Sequence, residues 1–174
     1  MKQLKAGKAI HLFFSFINLI NEIVGKVCSF VIVLASLILV YEVLVRYFLR
    51  IPTIWEIEAA IYLTMMATYV GAGYGLKHRV HITVDILTAR LSESVNRKIS
   101  IIVSILSIVV CIVLAWRGWD WCIRAYNEGW RSYGLWAPPL WIPLSFLPIG
   151  MTLLILQYIL YVVELLYPSY FKKG

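Results

Sequence analysis

Apolar residues gather along the chain into four stretches long enough to cross a bilayer, separated by polar or aromatic segments. A helix crossing the hydrocarbon core needs roughly 20 mostly apolar residues. The first such stretch covers 24–45, with Lys26 near one end, where its long stem can snorkel to the headgroups, and Glu42 near the other. The second covers 57–76 and carries no charge after Glu58. The third, 99–116, carries none. The fourth, 141–163, lies in a longer uncharged stretch punctuated by prolines. Its regular helix is expected to start near Trp141 or Pro143, since proline is tolerated in a first turn, and Pro148 one turn deeper should bend it.

Ahead of the first span, Leu12, Phe16, Leu19, Ile20 and Ile23 fall on one helical face, with His11, Ser15, Asn18 and Glu22 on another. Lys2, Lys5 and Lys8 precede them, but polar interruptions and the missing small-residue cleavage site argue against a signal peptide. An amphipathic interfacial helix over 10–22, retained on the membrane surface, is the expectation. Of the connections, 46–55 is short and turns at Pro52, while 77–98 is basic. There Val84, Leu87, Leu91 and Val95 predict a short interfacial helix. The segment 117–140 is rich in Trp119, Trp121, Tyr126, Trp130, Tyr133 and Trp136, as at a membrane–water boundary. These rings either anchor the chain or also offer a docking surface to a partner.

Composition agrees with lipid as the solvent. Of 174 residues, 61% are hydrophobic and 14% charged, and mean hydropathy is +0.83. Soluble domains carry about 25% charged residues. The net charge of +7 raises nucleic acid as a partner, but the basic residues form short clusters beside apolar runs, with no stripe for a phosphate backbone. Their placement orients the helices instead. With the N-terminus inside, the cytoplasmic side holds Lys2, Lys5, Lys8, Lys77, Arg79, Arg90, Arg97, Lys98, Lys172 and Lys173, against Arg46, Arg50, Arg117, Arg124 and Arg131 outside. Ten against five predicts both termini in the cytoplasm. The fold class is therefore an all-α integral membrane protein of four transmembrane helices plus the N-terminal interfacial helix.

The chemistry of an enzyme or pump is missing from the pattern. Intramembrane ionisable residues are costly and usually functional, and here every charge lies near a span end. Ser29, Ser36, Thr64, Thr68, Ser104 and Ser107 read as helix-packing positions. Cys28 and Cys111 lie in apolar runs and Cys122 in the following loop, with no CxxC spacing for a metal or redox pair. His78 and His81, with Asp85 nearby, share one loop and read as solvated or headgroup-facing groups, where haem would require histidines in facing helices. No catalytic residue, cofactor or metal site is expected. Gly71 and Gly75 form a GxxxG step for close helix approach, internal or to another chain. Arg46 and Glu58 flank the first outer turn and are expected to pair, bracing spans one and two.

The run 45–87 resembles the small (Q-type) membrane subunit of tripartite ATP-independent periplasmic (TRAP) transporters. The resemblance is carried by Arg46 and Tyr47 after the first span, Trp55 with Glu58 opening the second, and Gly71 and Ala72 near its end. His81, Ile82, Val84 and Asp85 follow. Pro139, Leu140 and Trp141 ahead of Pro148, Ile149 and Gly150 echo the family's fourth span. One departure concerns the two adjacent acids that often follow the Trp: Glu58 keeps the second, whereas Ile57 replaces the first.

The resemblance implies a bacterial or archaeal inner-membrane complex. A soluble periplasmic substrate-binding protein captures an organic acid or acidic sugar, and a large polytopic subunit moves it, typically on a sodium gradient. The small subunit widens the static scaffold and contributes to docking. With the chain ending at Gly174, the large subunit is expected to be separate. Arg46, Trp55, Glu58, Gly71, Gly75, Trp141, Pro148 and Gly150 are candidates for large-subunit contact or internal packing, and Arg50, Arg124 and Arg131 for docking of the binding protein. Membrane lipid is the remaining partner. The competing classes are a membrane anchor of a respiratory oxidoreductase, which predicts haem or quinone ligands, and a free-standing small channel, which predicts polar pore-facing positions.

Overall fold

The computed structural model describes residues 2–78 and 93–167, in which five α-helices follow one another. These are α1 (Lys2–Leu44), α2 (Glu56–Val70), α3 (Ala72–Lys77), α4 (Glu93–Asn127) and α5 (Trp141–Leu166), with a π-helical turn, Val45–Leu49, closing α1. Three helices are long and apolar enough to cross a membrane: Phe14–Leu49, Ser94–Asn127 and Trp141–Leu166. The interfacial helix expected in 77–98 falls mostly outside the described residues, as do His81 and Asp85.

The stretch read as the second span is divided at Gly71. α2 stops at Val70 and α3 resumes at Ala72. The run Gly71-Ala72-Gly73-Tyr74-Gly75 has low helix propensity, each glycine costing about 1 kcal/mol relative to alanine. The joint stays hydrogen-bonded: Gly71 N–H donates to the Ala67 carbonyl at 3.1 Å and Gly75 N–H to the Gly71 carbonyl at 3.2 Å. The interruption is one tightened turn.

α1 runs through the boundary expected between an interfacial helix and a first span, because no proline or helix-stopping cap lies between 22 and 24. Its apolar face is turned outward, as on a helix lying on a membrane surface, but part of its polar face is taken up by other helices. Leu12, Phe16, Leu19 and Ile23 are all more than half exposed, while Asn21 is fully buried and Asn18 and Glu22 are turned toward other helices. An outward apolar face is stable where lipid is the solvent.

The helices pack as a single row. α1 lies on α2 and α3, these lie on α5, and α5 lies on α4; α1 touches α5 lightly and has no substantial packing on α4. One stripe on each flanking helix is therefore buried. On α1 it runs Ile17, Asn21, Gly25, Cys28, Val31, Ala35 and Glu42; on α4 it runs Ser104, Cys111, Ala115, Gly118, Cys122 and Ala125. Steps of three and four residues keep such positions on one helix face. Small residues dominate the α4 stripe, so α5 can come close.

The same stripe corrects the expected end of the third span. α4 continues to Asn127, which places Cys122 in a helix rather than a loop. Arg117, Asp120 and Arg124 ended the apolar run, but Gly118, Cys122 and Ala125 carry the buried seam past them. At 35 residues, α4 is about 52 Å long, well beyond the ~30 Å of hydrocarbon it needs to cross.

Candidate functional site

Where the helices cross most closely, side chains are nearly absent. A methyl group at Gly150 would overlap the Tyr69 carbonyl and approach the Val70 amide, so α5 rests directly on the α2 backbone just before the Gly71 turn. On the other side of α5, the buried Pro148 ring fills the notch at Gly118, where an added Cβ would lie 3.0 Å from the ring's Cδ. Two apolar clusters surround this waist. Cys28, Val31, Ala67 and Val70 pack with Phe146 and Leu153; Cys111, Ala115 and Met151 pack with Tyr69 and Leu147. All three cysteines are buried packing residues with free thiols.

The GxxxG reading needs adjustment here. Gly71 sits against Cys28 of α1, 3.4 Å from a notional Cβ to that of Cys28, so its notch is filled from within the chain. Gly73, which the GxxxG spacing passes over, is the buried glycine of the run, and Gly75 is only half-buried.

Gly73 opens onto a polar node that the sequence pattern did not assemble. The Asn21 amide donates to Gln157 Oε1 at 2.9 Å and to the Ile17 carbonyl at 3.2 Å. Among the described residues its Oδ1 has no hydrogen-bond partner, and it faces Gly73, where any side chain would collide with it. Gln157 donates in turn to Asn18 Oδ1 at 3.4 Å. One turn further along α1, Glu22 accepts from Lys77 Nζ at 2.6 Å and meets His78 Nε2 at 3.1 Å. Lys77 also donates to the Asn18 carbonyl at 3.1 Å, and the His78 ring packs on Tyr74. The node ties α1, α3 and α5 together by groups that would be expensive to leave unpaired. Gln157, an amide in the fourth apolar stretch, and Asn21, on the seam register of Ile17 and Cys28, were the signals available for it.

The opposite end is built from acids and aromatics. Arg46 Nη2 pairs with Glu42 Oε1 at 2.5 Å, one helical turn back, and donates to Thr53 Oγ1 at 3.0 Å. The expected Arg46–Glu58 pair is not formed: Glu58 instead accepts from Ser132 Oγ at 2.8 Å. The local partner prevails because Glu42 is four residues away on the same helix, the spacing at which side chains meet. Glu56 folds back to accept from the backbone amides of Ile54 and Trp55, both at 3.0 Å, satisfying donors at the start of α2. Glu56 and Glu58 both lie in the first turn of α2, where acidic groups complement the helix dipole.

The segment between α4 and α5 folds over this end. Leu140 N–H donates to the Trp130 carbonyl and Ser132 N–H to the Pro138 carbonyl, forming a short antiparallel bridge between Arg131 and Pro139. Trp136 packs edge-on to Trp55, and Trp141 edge-on to Tyr126. The three arginines proposed for docking occupy different settings. Arg124 pairs with Asp120 at 3.0 Å, Arg131 donates to the Ala137 carbonyl at 3.4 Å, and Arg50 caps the π-helical turn in the left-handed conformation, φ 54°.

Apolar helices in a row, with polar groups tied off at either end, define a multi-pass membrane protein. Residues 35–167, more than half of the chain, match the family described as Tripartite ATP-independent periplasmic transporters, DctQ component, and the chain belongs to that family. It is thus a transport component of the TRAP small-permease type, and the family is not one of enzymes. A curated relative, the C4-dicarboxylate TRAP transporter small permease protein DctQ of Vibrio cholerae serotype O1, is 27% identical over 143 residues. The match covers 68% of this chain and 60% of that relative's length.

Proposed function

We propose that the chain is the scaffolding small subunit of a secondary transporter in a bacterial or archaeal inner membrane. A large polytopic subunit moves the substrate, an organic acid or acidic sugar delivered by a periplasmic binding protein, on a sodium gradient. The relative named for C4-dicarboxylates falls within the first of these substrate classes. Both termini lie in the cytoplasm, and α2, the Gly71 turn and α3 together supply the fourth crossing. Their 22 residues, 56–77, reach about 33 Å.

The observation that carries this reading is the single row of helices. α1 and α4 flank it with long apolar faces, such as Phe30, Val33 and Leu37 on one and Ile102, Leu106 and Val113 on the other. Among the described residues each flanking helix packs along one stripe only, a shape suited to widening another protein in the plane of the membrane. Arg124, in the last turn of α4, and Arg131, next in the chain to the exposed Trp130, lie toward the aromatic end, where the binding protein would dock.

Reconstitution tests the proposal. Vesicles holding the large subunit, the binding protein and this chain should take up a labelled dicarboxylate or acidic sugar on an inward sodium gradient. Uptake should fall to background when this chain is omitted. Uptake by this chain alone, or full uptake without it, would overturn the scaffold role.

A further inference from the structure

An open pocket of about 390 Å³ lies at the end of α1, lined by Arg46, Arg50, Ile51, Pro52 and Thr53. Two guanidiniums line it, and the buried Glu42 carboxylate lies behind it, pairing with Arg46 and accepting from Thr53 Oγ1 at 3.2 Å, so Arg50 carries the uncompensated charge. Arg50 is exposed, and among the described residues it has no polar partner. Arg46 meets Glu42 and Thr53 through Nη2; a guanidinium carries five N–H donors, so the same group can also bind an anion. The backbone is shaped to present the pair. A π-helical turn ends in Arg50 at φ 54°, a left-handed conformation uncommon for a non-glycine residue, and Pro52 fixes the chain two residues on.

The surroundings say which anion. Tyr47 is 76% exposed, Phe48 70%, Leu49 62% and Ile51 53%. Four large apolar side chains bracket the arginines, continuous with the lipid-facing side of α1. An anion arriving from water would meet a polar rim, whereas this one is met by a hydrocarbon-compatible collar. Guanidinium forks bind carboxylate and phosphate alike, and phosphate is the one that a bilayer's phospholipids present beside hydrocarbon. We infer that the Arg46–Arg50 pocket holds the phosphate of a membrane phospholipid, whose acyl chains lie along Tyr47, Phe48, Leu49 and Ile51. The site depends on the chain spanning a membrane and stands independently of the scaffold reading.

The test compares the purified full-length chain with Arg50→Asn in mild detergent, using native mass spectrometry to count retained lipid. Asparagine tolerates the left-handed conformation, so the variant removes the charge and keeps the turn. Arg46→Gln is the second variant, and thermal unfolding of each confirms that the fold persists. The probes are phosphatidylglycerol, diacylglycerol with the same chains, glycerol phosphate and inorganic phosphate. The wild-type chain should retain phosphatidylglycerol over diacylglycerol, with retention about fivefold lower in Arg50→Asn. Glycerol phosphate and inorganic phosphate should bind far more weakly than the intact lipid. Equal retention by wild type and folded variants, or equal retention of diacylglycerol, would overturn the site. Tight binding of inorganic phosphate would overturn the lipid as its source. Arg50-dependent capture of the soluble binding protein with no retained phospholipid would reassign the pocket to protein docking.

Discussion

α5 is packed on both sides, against α2 and α3 on one and α4 on the other, whereas α4 is packed along one stripe only. The two helices differ accordingly in what each residue can tolerate. α5 holds the buried Pro148 and Gly150, both disfavoured in an isolated helix, and the buried amide of Gln157, and each is explained by a neighbouring backbone or amide. α4 has a seam of serine, cysteine, alanine and glycine on one face and large aliphatic side chains on the others. The inner helix is specified by its neighbours within the chain, and the flank is half-specified. Its remaining face is what a partner or lipid would complete.

The contrast predicts a graded series of effects. Gly150→Leu, which drives a side chain into the Tyr69 backbone, should be the most damaging, about 3 kcal/mol, seen as loss of a monodisperse species in detergent. Full tolerance of leucine there would remove the waist from the account. Asn21→Leu and Gln157→Leu should each cost about 1–2 kcal/mol by thermal unfolding, because each strands a buried amide. The double variant should lose less than the sum, by about 0.6–1.7 kcal/mol; strict additivity would show that the amides do not act as a pair.

Smaller effects separate the two ends. Arg46→Ala and Glu42→Ala should couple, by about 0.5 kcal/mol, whereas Arg46→Ala and Glu58→Ala should add independently. The reverse pattern would restore the pairing expected from the sequence. Least of all, Leu106→Ala or Val113→Ala on the exposed face of α4 should change the stability of the isolated chain by less than about 0.5 kcal/mol. A large loss there would mean that this face is already buried by the chain itself.

Much of this architecture is legible in the sequence, and the misses have physical causes. Hydropathy locates the apolar helices, and the start of α5 at Trp141 follows from the prolines around it. The Gly71 interruption has a local signal, the glycines at 71, 73 and 75, but the same residues also fit a GxxxG packing step in a continuous helix. The charges at Arg117, Asp120 and Arg124 suggest a helix end ahead of Cys122, but the spacing of Gly118, Cys122 and Ala125 carries the helix on to Asn127. Asn18 and Glu22 read as a water-facing surface, and in the structure they form the polar side of a helix junction. The Arg46 expected to meet Glu58 is already held by Glu42, one helical turn away.

The scaffold role is tested most directly by isolating the tagged chain from its native membrane in mild detergent and identifying by mass whatever accompanies it. A stoichiometric, larger polytopic protein is predicted, together with its loss when Ile102, Leu106 and Val113 are all replaced by serine in a chain that still folds. A chain that migrates alone, or one accompanied by a haem- or flavin-bearing protein, would contradict the role.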